Sequence, residues 1–366
     1  MNQAETGRSG TGCDDNGRLS GRQIFCLLVL FLSGSVGTVG GGGSGRDIWL
    51  LMLLSGVAAV PIYWLYLWLA RAGELPQDCF QAAFGRWLGG AVRLLLGLAA
   101  ILTAAIDIRI FVSFTTATAL PHTPRILMAA FIGGAVYMLL RSGAEVLARV
   151  AVPAFVLVIG MLTLSFLASI PQLDWGAVLP IAEKGVQPPL GTSFVRSSLV
   201  PFLESFFALM VLAPLHNKKS GPARPAFGAA LFAGALLALT LMKNTMLLGY
   251  PAVSQYFFPS YTAASVVTVS DFFQRQELLA AAPFLLCELV KAGLCLTYAG
   301  QAFHVRERRW AAPVLCAAAV GLTLLGRGGM AESIEPLRFY GQWIFVPLLA
   351  VPALTLLVLR LRRRAK

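Results

Sequence analysis

The chain is 366 residues long, with 57% hydrophobic and 13% charged side chains and a formal net charge of +12. Counting Gly as apolar and leaving out Tyr, about 65% of it is apolar, where soluble domains run at about 45–50% with about 25% charged. A water-soluble globule could not bury that surface. This excludes the aqueous enzyme classes and leaves a polytopic membrane protein surrounded by membrane lipid.

The first 22 residues are polar and rich in Gly and Ser, and they are expected to form a flexible cytoplasmic tail, 1–22. They do not read as a signal peptide, because the apolar run behind them lacks a small-residue cleavage context and leads straight into more spans. A crossing helix takes about 20 mostly apolar residues. Ten stretches qualify: 23–43, 47–70, 88–118, 125–140, 146–170, 191–214, 227–249, 278–303, 310–326 and 339–361, of which the fourth and ninth are short. They make one transmembrane domain, 23–361, with helices 1–5 in 23–170 and helices 6–10 in 191–361, followed by a basic cytoplasmic tail, 362–366. Leu75–Arg86 and Val266–Gln276 are amphipathic and are expected at the membrane interface. With the N-terminus inside, the inner segments carry 18 of the 29 Lys and Arg and the outer loops 7, which predicts that both termini are cytoplasmic. These charges follow the ends of apolar runs instead of forming one stripe, so no nucleic-acid partner is expected.

Two of the spans are poor helices. The first contains Ser33-Gly34-Ser35-Val36-Gly37-Thr38-Val39 and then Gly40–Gly43, and each interior Gly costs about 1 kcal/mol of helix stability relative to Ala. Such a run either packs closely on a neighbouring helix, forms a loop past a short helix, or unwinds beside a protein-lined cavity. The sixth contains Ser197-Ser198-Leu199-Val200-Pro201-Phe202-Leu203-Glu204-Ser205. Pro201 has no N–H for the carbonyl of Ser197, which cuts the ladder, and Glu204 lies one turn beyond. Broken first and sixth helices, at matching positions of two five-helix halves, point to an inverted-repeat transporter fold with its site at the midplane.

Ionisable groups inside spans are expensive and mark function unless they pair. Asp107 and Arg109 stand two apart in the third span and do not face each other on a helix; Glu204 is a candidate partner for Arg109. Glu288 and Lys291, three apart in the eighth span, can pair locally. Asp107, Arg109, Glu204, Glu288 and Lys291 are therefore expected to form an intramembrane charge network. Arg93 and Lys243 lie nearer span ends and are expected to snorkel. A carboxylate at a helix break suits an ammonium, and exposed N–H groups at a half-helix start suit a carboxylate, a combination fitting a zwitterionic amino acid. The candidate ligand-binding residues are Gly34, Ser35, Gly37, Thr38, Arg109, Pro201, Phe202, Glu204, Ser205 and Phe206, with Asn244 as a further polar contact. No Walker loop, nucleophile elbow, metal-ligand spacing or catalytic carboxylate pair occurs, so neither catalysis nor a cofactor or metal is expected. The six cysteines form no CxxC pair and read as packing residues, and the three histidines stand far apart.

Several short strings between Leu19 and about Phe303 resemble those of one family, the B subunits of bacterial spore germinant receptors, or spore germination permeases, within the amino acid–polyamine–organocation superfamily. Ser20-Gly21-Arg22-Gln23 resembles its S/T-x-R-Q start, and Arg46-Asp47-Ile48-Trp49 its Asp-x-Trp lead into the second helix. Arg109 in the third helix and Leu120-Pro121-His122-Thr123-Pro124 (L-P-x-T-P) follow. Next come Arg141-Ser142-Gly143-Ala144-Glu145-Val146-Leu147-Ala148-Arg149 (R-x-G-x-E-x-x-A-R) and Pro201-Phe202-Leu203-Glu204 (P-F-x-E). The chain departs from the pattern at Gly40–Gly43, where the family usually has bulkier residues and a Pro. The resemblance implies an all-α, LeuT-like 5+5 inverted repeat with broken helices 1 and 6. It also implies sensing of a small nutrient, often an amino acid, at the spore inner membrane, in a complex with an A subunit and a C lipoprotein. In that picture the nutrient binds between helices 1, 3, 6 and 8. A freestanding ion-coupled amino acid permease and a non-binding scaffold are the other readings.

Overall fold

The computed structural model describes residues 19–35, 46–71, 78–118, 120, 122–179, 198–215, 221–267, 277–305, 308, 310–325, 343–344 and 346–364. Its first helix, α1 (Gly21–Gly34), starts at Ser20. The Gln23 N–H donates to Ser20 Oγ at 3.3 Å and the Ser20 N–H to Gln23 Oε1 at 2.9 Å, a capping box that satisfies two otherwise orphaned donors. This is what the opening Ser20–Gln23 string does physically. After 14 residues α1 stops at Ser35, a length of about 21 Å against a hydrocarbon core of about 30 Å. The glycines of the expected break beyond it (Gly37 and Gly40–Gly43) and Thr38 lie outside the described residues, as do 1–18 and 365–366.

The second helix, α2, is Ile48–Arg71. Next, Asp78–Thr118 turns at Gly85 (φ 82°, ψ 178°). The short arm, 78–84, folds back so tightly that a Cβ on Gly89 would fall 2.5 Å from the Cα of Gln81; the long arm is α3 (86–118). The amphipathic segment expected over Leu75–Arg86 is this arm, described from Asp78 onward. Arg125–Ser169 counts 45 residues, about 68 Å if straight and more than twice a bilayer core. It turns at Gly143 (φ 82°, ψ 164°) into α4 (125–142) and α5 (144–169). A positive φ is open to glycine at little cost, so the Arg141–Arg149 string encodes a corner between two crossings.

In the second half, α6 is Val200–Leu212, α7 Ala223–Leu248, α8 Glu277–Ala302, α9 Ala311–Leu324 and α10 Val351–Arg364. Pro201 stands in the first α-helical turn of α6, directly after Ser198 and Leu199, whose backbone is wound as a π-helix, so the winding is irregular just ahead of the proline that lacks an N–H; residues 180–197 lie outside the described residues. The connection after α7 carries a helix of its own. An eight-residue helix forms at Pro259–Val266, ahead of the Val266–Gln276 segment, of which 268–276 lie outside the described residues.

Long-range contacts fix the arrangement. The Leu19 N–H donates to Leu215 O at 2.8 Å, Arg362 Nη1 donates to Ala82 O at 2.8 Å, and Arg93 meets His304 beyond the end of α8. The start of α1, the α2–α3 connection and the ends of α6, α8 and α10 thus share one end of the bundle. At the other end Asp174, after α5, donates its N–H to Met246 O near the end of α7 at 3.1 Å. Equivalent helices of the two halves pack on each other: α2 on α7, α3 on α8, and α1 on α6. Gly56 of α2 and Gly234 of α7 bring backbones into contact, for a Cβ on Gly234 would fall 2.9 Å from the Cα of Gly56. Large apolar side chains such as Leu94, Leu98, Phe131 and Val156 are left exposed, as lipid contact requires.

Gly234→Ala is expected to lower stability in detergent by about 1–3 kcal/mol through overpacking. Gly134→Ala, whose new methyl meets nothing within 4 Å, is expected to be neutral or to gain up to about 1 kcal/mol. Thermal unfolding of both variants checks this; equal shifts would remove the backbone contact from the account.

Candidate functional site

Four helices converge on Lys291 of α8. Its Nζ lies 3.0 Å from Asp107 Oδ1 of α3 and 2.8 Å from Glu204 Oε2 of α6, all three side chains being buried. The Phe31 ring of α1 stands 6.0 Å from the same nitrogen. The local Glu288–Lys291 pair is replaced by these two bridges, because an ammonium between two carboxylates on other helices gains two charge-assisted hydrogen bonds. Glu204, the candidate partner of Arg109, is likewise held by Lys291, while Arg109 is half-buried two residues along α3 from Asp107. Both carboxylate oxygens of Glu288, and Oδ2 of Asp107, are buried with no hydrogen-bond partner among the described residues.

The other candidate ligand residues pack tightly. Gly34 abuts α8, where a Cβ would fall 3.1 Å from Cys287 O, so a larger residue there presses on backbone. Ser35 caps α1 and is buried. Pro201 and Phe202 are buried, and Ser205 Oγ donates to Phe202 O at 2.6 Å. Phe206 is a core ring, with centroids 5.0 Å from Tyr66 and 5.7 Å from Tyr298. Helices 1, 3, 6 and 8 therefore meet around a charge cluster.

An open space lies beside it. A cavity is bounded by α1, α3, α5, α7, α8 and the Pro259–Val266 helix. Ser33 and Cys287 line it, the immediate neighbours of Gly34 and Glu288, but none of the eight candidate ligand residues that are described does. Its wall is aromatic: the Phe114 ring stands edge-on to Phe258, Tyr261 and Phe284 at 4.9, 5.5 and 5.1 Å. Lys243 also faces it. That lysine is 5% exposed and donates to Ser165 Oγ of α5 at 3.1 Å, so it does not snorkel. Asn244 donates to Ser260 Oγ at 2.8 Å and anchors the loop helix. The α5, α7 and loop-helix walls escaped the sequence reading; the adjacent polar pair Lys243-Asn244 inside an apolar span was the available signal. A second cavity lies by the Gly143 corner and is lined by Arg141 and Arg308 among others. The cysteines at 26, 79, 287, 295 and 316 are buried packing residues. Among the described residues no three His, Cys, Asp or Glu side chains gather in a way that could hold a metal ion.

Lys291→Met strands two buried carboxylates and is expected to cost about 3–5 kcal/mol, whereas adding Asp107→Asn and Glu204→Gln to it recovers most of that loss. Thermal unfolding of the single and triple variants decides; a single variant as stable as the parent would mean the cluster holds nothing together.

The family model for spore germination proteins matches residues 18–320. Spore germination protein KB of Bacillus subtilis (strain 168) is 24% identical over 318 residues, covering 85% of this chain and 84% of the relative. A second germination relative from the same organism, YfkT, is 26% identical over 260 residues, 67% of each chain. Among solved structures, the manganese transporter of Eremococcus coleocola in complex with an aromatic bis-isothiourea substituted compound superposes with a TM-score of 0.59 at 15% identity, covering 91% of this chain and 77% of that one. A mutant of the same transporter gives 0.59 at 16% identity, over 94% and 81%. The fold is the LeuT-like 5+5 inverted repeat, and the chain belongs to the spore germination protein family, integral to a membrane.

Proposed function

We propose that this spore germination family member is the nutrient-sensing subunit of a germinant receptor, taking a small molecule of the amino-acid class. The cavity carries this reading, since it touches α1 at Ser33 and α8 at Cys287 and adjoins the Lys291 cluster. A ligand that fits the cavity better in one arrangement of α1 and α8 than in another shifts their populations. In this reading the shift passes to A-type and C-type lipoprotein partners at the spore inner membrane. Cytoplasmic termini are supported by the excess of Lys and Arg in the segments at that end. A freestanding ion-coupled amino acid permease is the second reading, favoured by the likeness of the fold to a transporter.

Spores that lack this gene and regain it as Ala280→Trp, which fills the cavity, are expected to need at least about tenfold more nutrient than with the parent gene. That corresponds to about 1.4 kcal/mol of lost binding. An unchanged dose–response with normal membrane insertion would leave the scaffold reading. Glu204→Gln leaves Lys291 one carboxylate short and is expected to shift the same curve while the protein still inserts. Ion-driven accumulation of a labelled amino acid by the lone chain in proteoliposomes would establish the permease instead.

A further inference from the structure

We infer that Lys243 is the carboxylate-binding residue of the cavity, and that the ligand is an amino acid with an apolar side chain. This rests on the nutrient-binding reading above and narrows it. Lys243 is the one charged side chain among the described residues lining the cavity. It is 5% exposed, and among the described residues no carboxylate lies within 4 Å of its Nζ, whose hydrogen-bond partner is the Ser165 hydroxyl. A buried ammonium with no counter-ion is costly within a bilayer, and a ligand carboxylate supplies what the fold leaves out.

The remaining chemistry sets the rest of the molecule. The rings of Phe114, Phe258, Tyr261 and Phe284 offer an apolar wall and no charge, which suits an aliphatic or aromatic side chain. Ser33, in the last turn of α1, lines the cavity with a buried hydroxyl that has no partner among the described residues. The C-terminal end of a helix is the negative end of its dipole, so the ligand ammonium belongs at this edge. Asp107, Glu204 and Glu288 do not line the cavity. Binding and the charge cluster are thus neighbours through Ser33–Gly34 and Cys287–Glu288, with separate side chains.

Titration calorimetry on the purified full-length chain tests this with L-leucine, L-phenylalanine and L-leucinamide, which lacks the carboxylate. Leucine or phenylalanine is expected to bind, with leucinamide weaker by roughly 30-fold or more, the usual scale for an unpaired buried charge. Lys243→Gln is expected to weaken leucine by a similar factor and to abolish the discrimination against the amide, and Lys243→Arg to restore part of it. Equal affinity of the parent chain for leucine and leucinamide would overturn the assignment, a measurement that needs no variant to fold. If Ala280→Trp still abolished that binding, the cavity reading would stand and the carboxylate assignment alone would fall. Binding that survived both Lys243→Gln and Ala280→Trp would overturn both. No binding of either amino acid to the parent chain would overturn the ligand class, leaving the spore dose–response to judge the sensing role.

Discussion

Lys291 reaches out of α8 to carboxylates that belong to α3 and α6, and lies beside a ring of α1. In water such bridges would be weak contributors, but inside a membrane protein neither carboxylate has bulk solvent to fall back on. The mutual placement of three helices therefore depends on one ammonium. The close approach of Gly34 to the α8 backbone depends on it in turn, because α1 can lie that near α8 only while α8 keeps its position against α3 and α6. Glu288, a turn away with no hydrogen-bond partner among the described residues, adds a third carboxylate to this setting. The cluster is thus built with more acid than base, which ties its stability to its surroundings.

Much of the fold was legible because a bilayer imposes simple rules. Apolar runs mark the crossings: α2, α3, α4, α5, α7, α8 and α9 lie within about four residues of the expected spans, while α1 ends, and α6 and α10 start, well inside theirs. Ser20 and Gln23 stood in the opening string, and their role as the capping box of α1 is visible only in the structure. The corner at Gly143 was visible as a string whose purpose becomes clear once its positive φ is known. What could not be read was the rotation of each helix against its neighbours. A Glu and a Lys three apart share a face whether or not they pair, and only the approach of Asp107 and Glu204 decides that Lys291 leaves Glu288. Lys243 is near enough to a span end to reach water in an isolated helix; α5 packing on it is what encloses it. Pro201 gave a true signal of irregular backbone, for the winding changes from π to α just ahead of it.

The candidate residues divide along the same line. The residues chosen for their chemistry, Glu204 above all, are held in the charge cluster and the aromatic core. The open volume lies one layer away, against helices that carry few conspicuous residues. Side chains that can bind something are easy to find in a sequence; empty space is not, because it arises from what several distant segments fail to fill. Here the loop helix Pro259–Val266, fastened by Asn244 to Ser260, closes one side of that volume.

The glycine pair at positions 56 and 234 has a consequence for motion. Where main chain rests directly on main chain, no side chain can switch rotamer to let one rod slide past the other, so α2 and α7 behave as a welded axle. Any rocking that the protein undergoes has to be carried by parts not fastened in this way.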